Sequence, residues 1–148
     1  MTKNNITKFE AKLSIEEGLH VSSKIRTHSL QIDEPRELGG TDKGPNPVEL
    51  VLAALGGCQA IILRLYGEKL GLKVKSVESI VEGNLDLGGF LGVPGVRPGF
   101  QNVKAITKVK VEGDPDKIKE LLKIAEERCP VLDILKNGVP VEVRIKQE

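Results

Sequence analysis

Tryptophan is absent from this chain, and aromatic side chains of all kinds make up 3% of its 148 residues. With so few large rings, the interior has to be packed with aliphatic side chains. An excess of charge is also lacking. Twenty-two basic against 21 acidic side chains give a formal +1, and no long run of like charge is present to follow a phosphate backbone, which argues against nucleic acid as a partner. The first ten residues, Met1 to Glu10, lack the unbroken apolar stretch of a signal peptide, so the cytoplasm is the expected location. Cysteine occurs twice, as Cys58 and Cys129, too few for the disulfide framework of a small secreted domain. A structural zinc site is not expected either, because His20 and His28 are the only histidines and neither cysteine has a second ligand two to four residues away. No cofactor is expected: the run from Gly88 to Gly92 is not followed by a helix, as a nucleotide fingerprint requires.

What is present suits one α+β domain over residues 1–148. Segments 7–15, 19–25 and 27–32 carry mixed alternation, broken by Glu17-Gly18 and Arg26-Thr27, and predict an antiparallel meander. Gly39 to Pro45 reads as a loop. Asn46-Pro47 predicts a helix start, with asparagine as the cap and proline where no hydrogen bond is lost, and Gly71 supplies the stop after Leu70. From Val48 to Leu65 this helix is apolar nearly all round, which predicts a central, buried element. A membrane span is not expected, since about 20 clean apolar residues are needed and Glu49 and Gly56-Gly57 interrupt the run.

Residues 73–85 and 102–112 read as two more strands. Between them Asp86 to Phe100 holds five glycines and two prolines, which predicts a mobile loop or hairpin tip bordering a pocket. Asp114-Pro115 opens a second helix with Ile118, Leu121, Leu122, Ala125 and Cys129 on one face. Pro130 breaks it, residues 131–135 suit another turn, and residues 139–145 alternate as a last strand.

The two cysteines are the chemical candidates. Cys58 follows Gly56-Gly57 inside the long helix, where glycines cost about 1 kcal/mol each and so point to a close approach of backbone or ligand. A lone helical cysteine is more often a packing residue than a chemical one. Cys129 precedes Pro130, whose new helical turn offers free N–H groups to a thiolate, and Arg128 would assist if its side chain turned inward.

Two stretches add specificity: Leu38-Gly-Gly-Thr-Asp-Lys-Gly-Pro-Asn-Pro-Val-Glu-Leu-Val-Leu-Ala-Ala-Leu-Gly-Gly-Cys58, and Glu127-Arg-Cys-Pro-Val-Leu-Asp133. Both resemble the OsmC/Ohr-like superfamily, that of osmotically inducible protein C and organic hydroperoxide resistance proteins. Arg97-Pro-Gly-Phe100 is similar to the form seen in its YhfA-like branch. The resemblance implies an OsmC-like fold, with antiparallel sheets around a long central helix, in an intertwined α+β homodimer with active sites at the subunit interface. It also implies a thiol-dependent peroxidase: Cys58 attacks an organic hydroperoxide, Cys129 closes a disulfide on the sulfenic acid, and a dithiol reductant restores both thiols. Those peroxidases carry a glutamate directly after the Asn-Pro pair to orient a catalytic arginine. Here that position is Val48 and the acid is Glu49, with Arg26 as the candidate arginine. A one-residue shift turns a helical side chain by about 100°, so Glu49 also suits a helix cap. The alternatives are a non-catalytic OsmC-fold binding or thiol-sensing protein, favoured by Val48, and a structural role for both cysteines.

Overall fold

The computed structural model describes residues 5–148. The chain divides into two compact units, Met1–Val51 and Leu52–Glu148, and α1 (Pro47–Lys69) runs from the first into the second. The first unit is the expected meander. Strands β1 (Lys12–Ile15), β2 (Val21–Ile25) and β3 (His28–Ile32) pair antiparallel in the order β1-β2-β3, with Ile15 opposite Val21 and Val21 opposite Ile32. The first strand is shorter than the alternation suggested: residues 7–11 make no ladder, and Phe9 is exposed. The β2–β3 turn is Arg26-Thr27, closed by the Ile25–His28 pair, with Arg26 in a left-handed conformation.

After β3 the chain folds around one buried carboxylate. Asp33 accepts from the N–H groups of Glu34 (2.8 Å), Thr41 (3.3 Å) and Lys43 (3.2 Å) and from the Thr41 hydroxyl (2.5 Å). Sequence reasoning gave Asp33 no role. Its hydrogen bonds hold the glycine-rich loop to the end of β3 and so set where α1 begins. Asn46 caps that helix as expected: its Oδ1 accepts from Glu49 N–H (2.9 Å), and Glu49 Oε2 accepts from Asn46 N–H (2.8 Å), a reciprocal capping box.

In the second unit, β4 (Lys73–Leu85) and β5 (Phe100–Glu112) form a long antiparallel hairpin. The uneven spacing of apolar residues in β4 has a cause in its register. A bulge between Val74 and Ser76 shifts the parity of the strand, so Val74 and then Val77, Ser79 and Val81 face inward while Ile80 faces out. Opposite them β5 turns Val103, Ala105, Thr107, Val109 and Val111 inward. The segment expected as a mobile loop or hairpin tip is the tip of this hairpin, and it carries a short helix, α2 (Leu87–Phe90), capped by Asp86. Gly83 accommodates the ring of Phe100, which would lie 2.6 Å from a β-carbon there.

Helices α3 (Pro115–Glu127) and α4 (Pro130–Asn137) follow. Leu121, with no exposed surface, Ile124 and Ala125 of α3 join Leu55, Ile62 and Leu63 of α1 and Leu72 and Val74 in one aliphatic core. The turn expected at 131–135 is a full helix, because Pro130 begins it and Cys129 caps it. The last predicted strand is the clearest correction. Residues 139–145 pair with no strand among the described residues, and Val141, Val143 and Ile145 are exposed. An alternating segment becomes a strand only where an edge is available to accept its hydrogen bonds.

Helix α1 is also more open than its composition implied. Leu55, Gly56, Ile62, Leu63 and Gly67 are buried, but Ala54, Gly57, Ile61 and Leu65 form an exposed apolar stripe along another face. It is, among the described residues, the one helix long and apolar enough to cross a membrane.

Candidate active site

The two cysteines come from elements far apart in sequence, and the core of the second unit brings them together. Cys58 lies in the middle of α1, half-buried, and packs against the aliphatic cluster that includes Cys129. The adjacent Gly56 explains how the helix sits there: a β-carbon at this position would lie 3.2 Å from Val81 Cγ2 and 3.5 Å from Ser79 Oγ, so the helix backbone rests against β4. Gly57 has no neighbour within 4 Å of such a carbon and faces away.

Cys129 is 2% exposed and occupies the two-residue corner between α3 and α4, as the residue after the α3 cap Arg128 and as the cap of α4. Its Sγ accepts a hydrogen bond from Leu132 N–H at 3.4 Å. The sequence predicted N–H groups at this sulfur, and they are there. Their effect is outweighed. Burial pushes the Cys129 thiol above its ordinary range, the neighbouring Cys58 thiol pushes it further, and the Leu132 and Val131 N–H groups oppose both. Cys129 is therefore a buried, protonated thiol at neutral pH, facing a half-exposed partner on α1. Two free thiols so arranged can exchange with an electrophile that reaches the more accessible one.

Arg128 does not serve Cys129 as supposed. Its guanidinium lies over the ring of Tyr66 on α1, 5.1 Å from the ring centroid, while Lys69 Nζ lies 5.0 Å from the same centroid. The hydrogen bond from Arg128 is the main cause that lowers the Tyr66 phenol pKa; burial opposes it, and the charges of Arg128 and Lys69 add to it. Sequence reasoning missed Tyr66, though its being the only tyrosine, eight residues after Cys58 on one helix, was a usable signal. A polar chain joins the hairpin to α1 at Gln59, the residue after Cys58: Thr107 donates to Gln59 Oε1 at 2.6 Å, and Ser79 and Thr107 hydroxyls are 2.9 Å apart.

The other two candidates sit in different settings. Glu49 is engaged in the capping box, nine residues before Cys58 along α1. Arg26 is exposed at the tip of the β2–β3 turn and makes no side-chain hydrogen bond or ion pair among the described residues.

A three-stranded meander, a long cysteine-bearing helix, a β hairpin and a second cysteine at a helix–helix corner define a two-thiol α+β protein. Residues 40–144 match the family described as OsmC-like protein, and the chain belongs to that family. Among curated proteins it is similar to an uncharacterised protein of Acinetobacter baylyi, 24% identical over 117 residues that cover 78% of this chain and 76% of the relative. Two solved structures show the same fold. An OsmC-like protein from Mycoplasma pneumoniae superposes with a TM-score of 0.73 at 17% identity, covering 88% of this chain and 89% of the other. An organic hydroperoxide resistance protein from Legionella pneumophila, also described as a predicted redox protein, gives 0.62 at 20% identity over 91% and 93%.

Proposed function

We propose that this protein reduces organic hydroperoxides through a Cys58–Cys129 dithiol cycle. The observation that carries the reading is the pairing of a half-exposed thiol on α1 with a buried one at the α3–α4 corner. The accessible Cys58 thiolate attacks the terminal peroxide oxygen, the O–O bond breaks, and the alkoxide leaves with a proton as the alcohol. Cys58 becomes a sulfenic acid. The Cys129 sulfur then displaces hydroxide from it, releasing water and forming the disulfide, and an external dithiol returns both thiols while becoming oxidised itself. A protonated Cys129 suits the second role, because it stays unreactive until the sulfenic acid is formed beside it. The aliphatic cluster that Cys58 packs against favours an apolar peroxide over hydrogen peroxide.

In this reading the chain acts as one OsmC-like domain, of which the family match covers residues 40–144, in a cytoplasmic protein whose reducing surroundings keep the cysteines free. It works as a homodimer: the stripe Ala54, Gly57, Ile61 and Leu65 on α1 suits a second copy of the same helix, and the unpaired segment 139–145 suits a strand on that copy. Such cover also leaves α1 no apolar face for a membrane. Glu49 and Arg26 are the acid and the arginine available to orient the peroxide, and Glu49 does so only by releasing Asn46 N–H. Unchanged peroxide consumption by Arg26→Ala would remove that assignment.

The test is the rate of consumption of cumene hydroperoxide against that of hydrogen peroxide, with dithiothreitol as reductant. The expected result is faster turnover of the organic peroxide, abolished by Cys58→Ser; equal rates would contradict the substrate class. A second reading, a non-catalytic binding or thiol-sensing protein, is favoured by Val48 standing where the peroxidases carry glutamate and by the capping role of Glu49. It predicts no turnover of either peroxide.

A further inference from the structure

We propose that Tyr66 and Arg128 are positioning residues that hold Cys129 against Cys58, and that their contact sets how readily the pair closes into a disulfide. The inference rests on the dithiol reading and adds to it a determinant of the redox equilibrium. Helix α1 carries Cys58 and Tyr66; the α3–α4 corner carries Arg128 and Cys129 as consecutive residues. The corner is short. Arg128 closes α3 with its N–H on Ile124 O at 2.9 Å, and Cys129 opens α4, so no residue lies between the two caps.

Leu121, Ile124 and Ala125 hold α3 in the core, and Cys129 at the corner is buried in the same cluster as its neighbours on α1. Arg128 adds a contact to α1 directly beside Cys129, with its guanidinium 5.1 Å from the Tyr66 ring centroid, and so restrains the local orientation of the corner. Lys69 faces the same ring but lies on α1 itself, so it fixes nothing across the contact. The lowered Tyr66 phenol agrees with an Arg128 side chain committed to that ring. Because the chain has one tyrosine and no tryptophan, its tyrosine emission reports the surroundings of Tyr66, of which this contact is a part.

Positioning of this kind appears as an effective concentration of one thiol at the other. It is read in equilibrium with glutathione, where the protein dithiol and one oxidised glutathione give the protein disulfide and two reduced glutathiones. Arg128 is exposed, so Arg128→Gln removes the reach of the side chain without opening the core. Tyr66→Leu removes the other half of the contact, and Lys69→Ala is the control. The expected result is a disulfide equilibrium constant about fivefold lower in Arg128→Gln and in Tyr66→Leu, no lower in the double variant than in either single, and within about twofold of wild type in Lys69→Ala. The Arg128→Gln variant also changes the tyrosine emission of the reduced protein. Either single variant within twofold of wild type, or a double variant showing the product of the two effects, would overturn the proposal. If the wild type forms no Cys58–Cys129 disulfide at any glutathione ratio, the dithiol reading itself fails and the proposal falls with it. Reduced-state melting curves identify a variant that has lost its fold, in which case the Arg128→Gln result decides.

Discussion

The second unit depends on α1 approaching β4 without a side chain between them, and a double-mutant cycle at Gly67 and Val74 measures that dependence. A β-carbon at Gly67 would overlap Val74 Cγ2 and come to 3.5 Å of Leu121 Cδ2, both in the buried cluster. Overpacking of a filled core costs about 1–3 kcal/mol, and alanine in place of helical glycine returns about 1 kcal/mol. Gly67→Ala is therefore expected to destabilise by about 1 kcal/mol, although the same change in an open helix stabilises. Val74→Ala removes two methyl groups at about 0.8 kcal/mol each and leaves a cavity, a loss of about 2–3 kcal/mol. In the double variant the methyl group introduced by Gly67→Ala occupies space vacated by Val74 Cγ2, so the expected cost is about 1.5 kcal/mol, some 2 kcal/mol less than the sum of the singles. Urea unfolding under reducing conditions at one protein concentration, monitored by circular dichroism, gives all four stabilities. Additivity within about 0.5 kcal/mol would show that Gly67 and Val74 do not share this space, and would refute the packing described for α1.

Three further outcomes are expected. The Asp33 carboxyl is held at about 2, chiefly by the Thr41 hydroxyl, with burial opposing and the N–H groups of Lys43, Glu34 and Thr41 assisting. Because that value is depressed below 3.8, the stability it confers is complete above pH 4 and is lost as pH falls toward 2, so the gap between wild type and Asp33→Asn in unfolding experiments should narrow over that interval. Asn46→Ala should cost about 1 kcal/mol by removing half of the capping box, measurable by urea unfolding, and a neutral result would contradict the cap. Native protein treated with iodoacetamide at pH 7 should label at Cys58 first, and Cys58→Ser should stay nearly unlabelled until unfolded, because Cys129 is buried and its pKa is raised; prompt labelling of that variant, read by mass spectrometry, would place Cys129 at the surface.

Most of the element order was legible because it rested on strong local signals. Asn46-Pro47 and Asp114-Pro115 open helices where capping chemistry says they should, and the left-handed Gly71 follows the end of α1. Residues whose conformation depends on distant partners were harder to read. The segment 139–145 has the alternation of a strand but pairs with none among the described residues, and the phase change in β4 comes from the bulge between Val74 and Ser76, opposite Val111 and Lys110 of β5. At the candidate site, both cysteines were singled out from their motifs. Their electrostatics were not: the N–H groups at Cys129 follow from Pro130, but the burial that outweighs them comes from packing of the whole second unit. Arg128 illustrates the same limit, since nothing next to it in sequence indicates that it lies over Tyr66.

The central claim is that Cys58 and Cys129 act as one redox unit. Free thiols should be counted on the reduced protein before and after one equivalent of cumene hydroperoxide, with Cys58→Ser and Cys129→Ser alongside. Rapid loss of two thiols per peroxide in the wild type alone is the predicted result; retention of both thiols would contradict the dithiol peroxidase and leave the binding or sensing protein in its place.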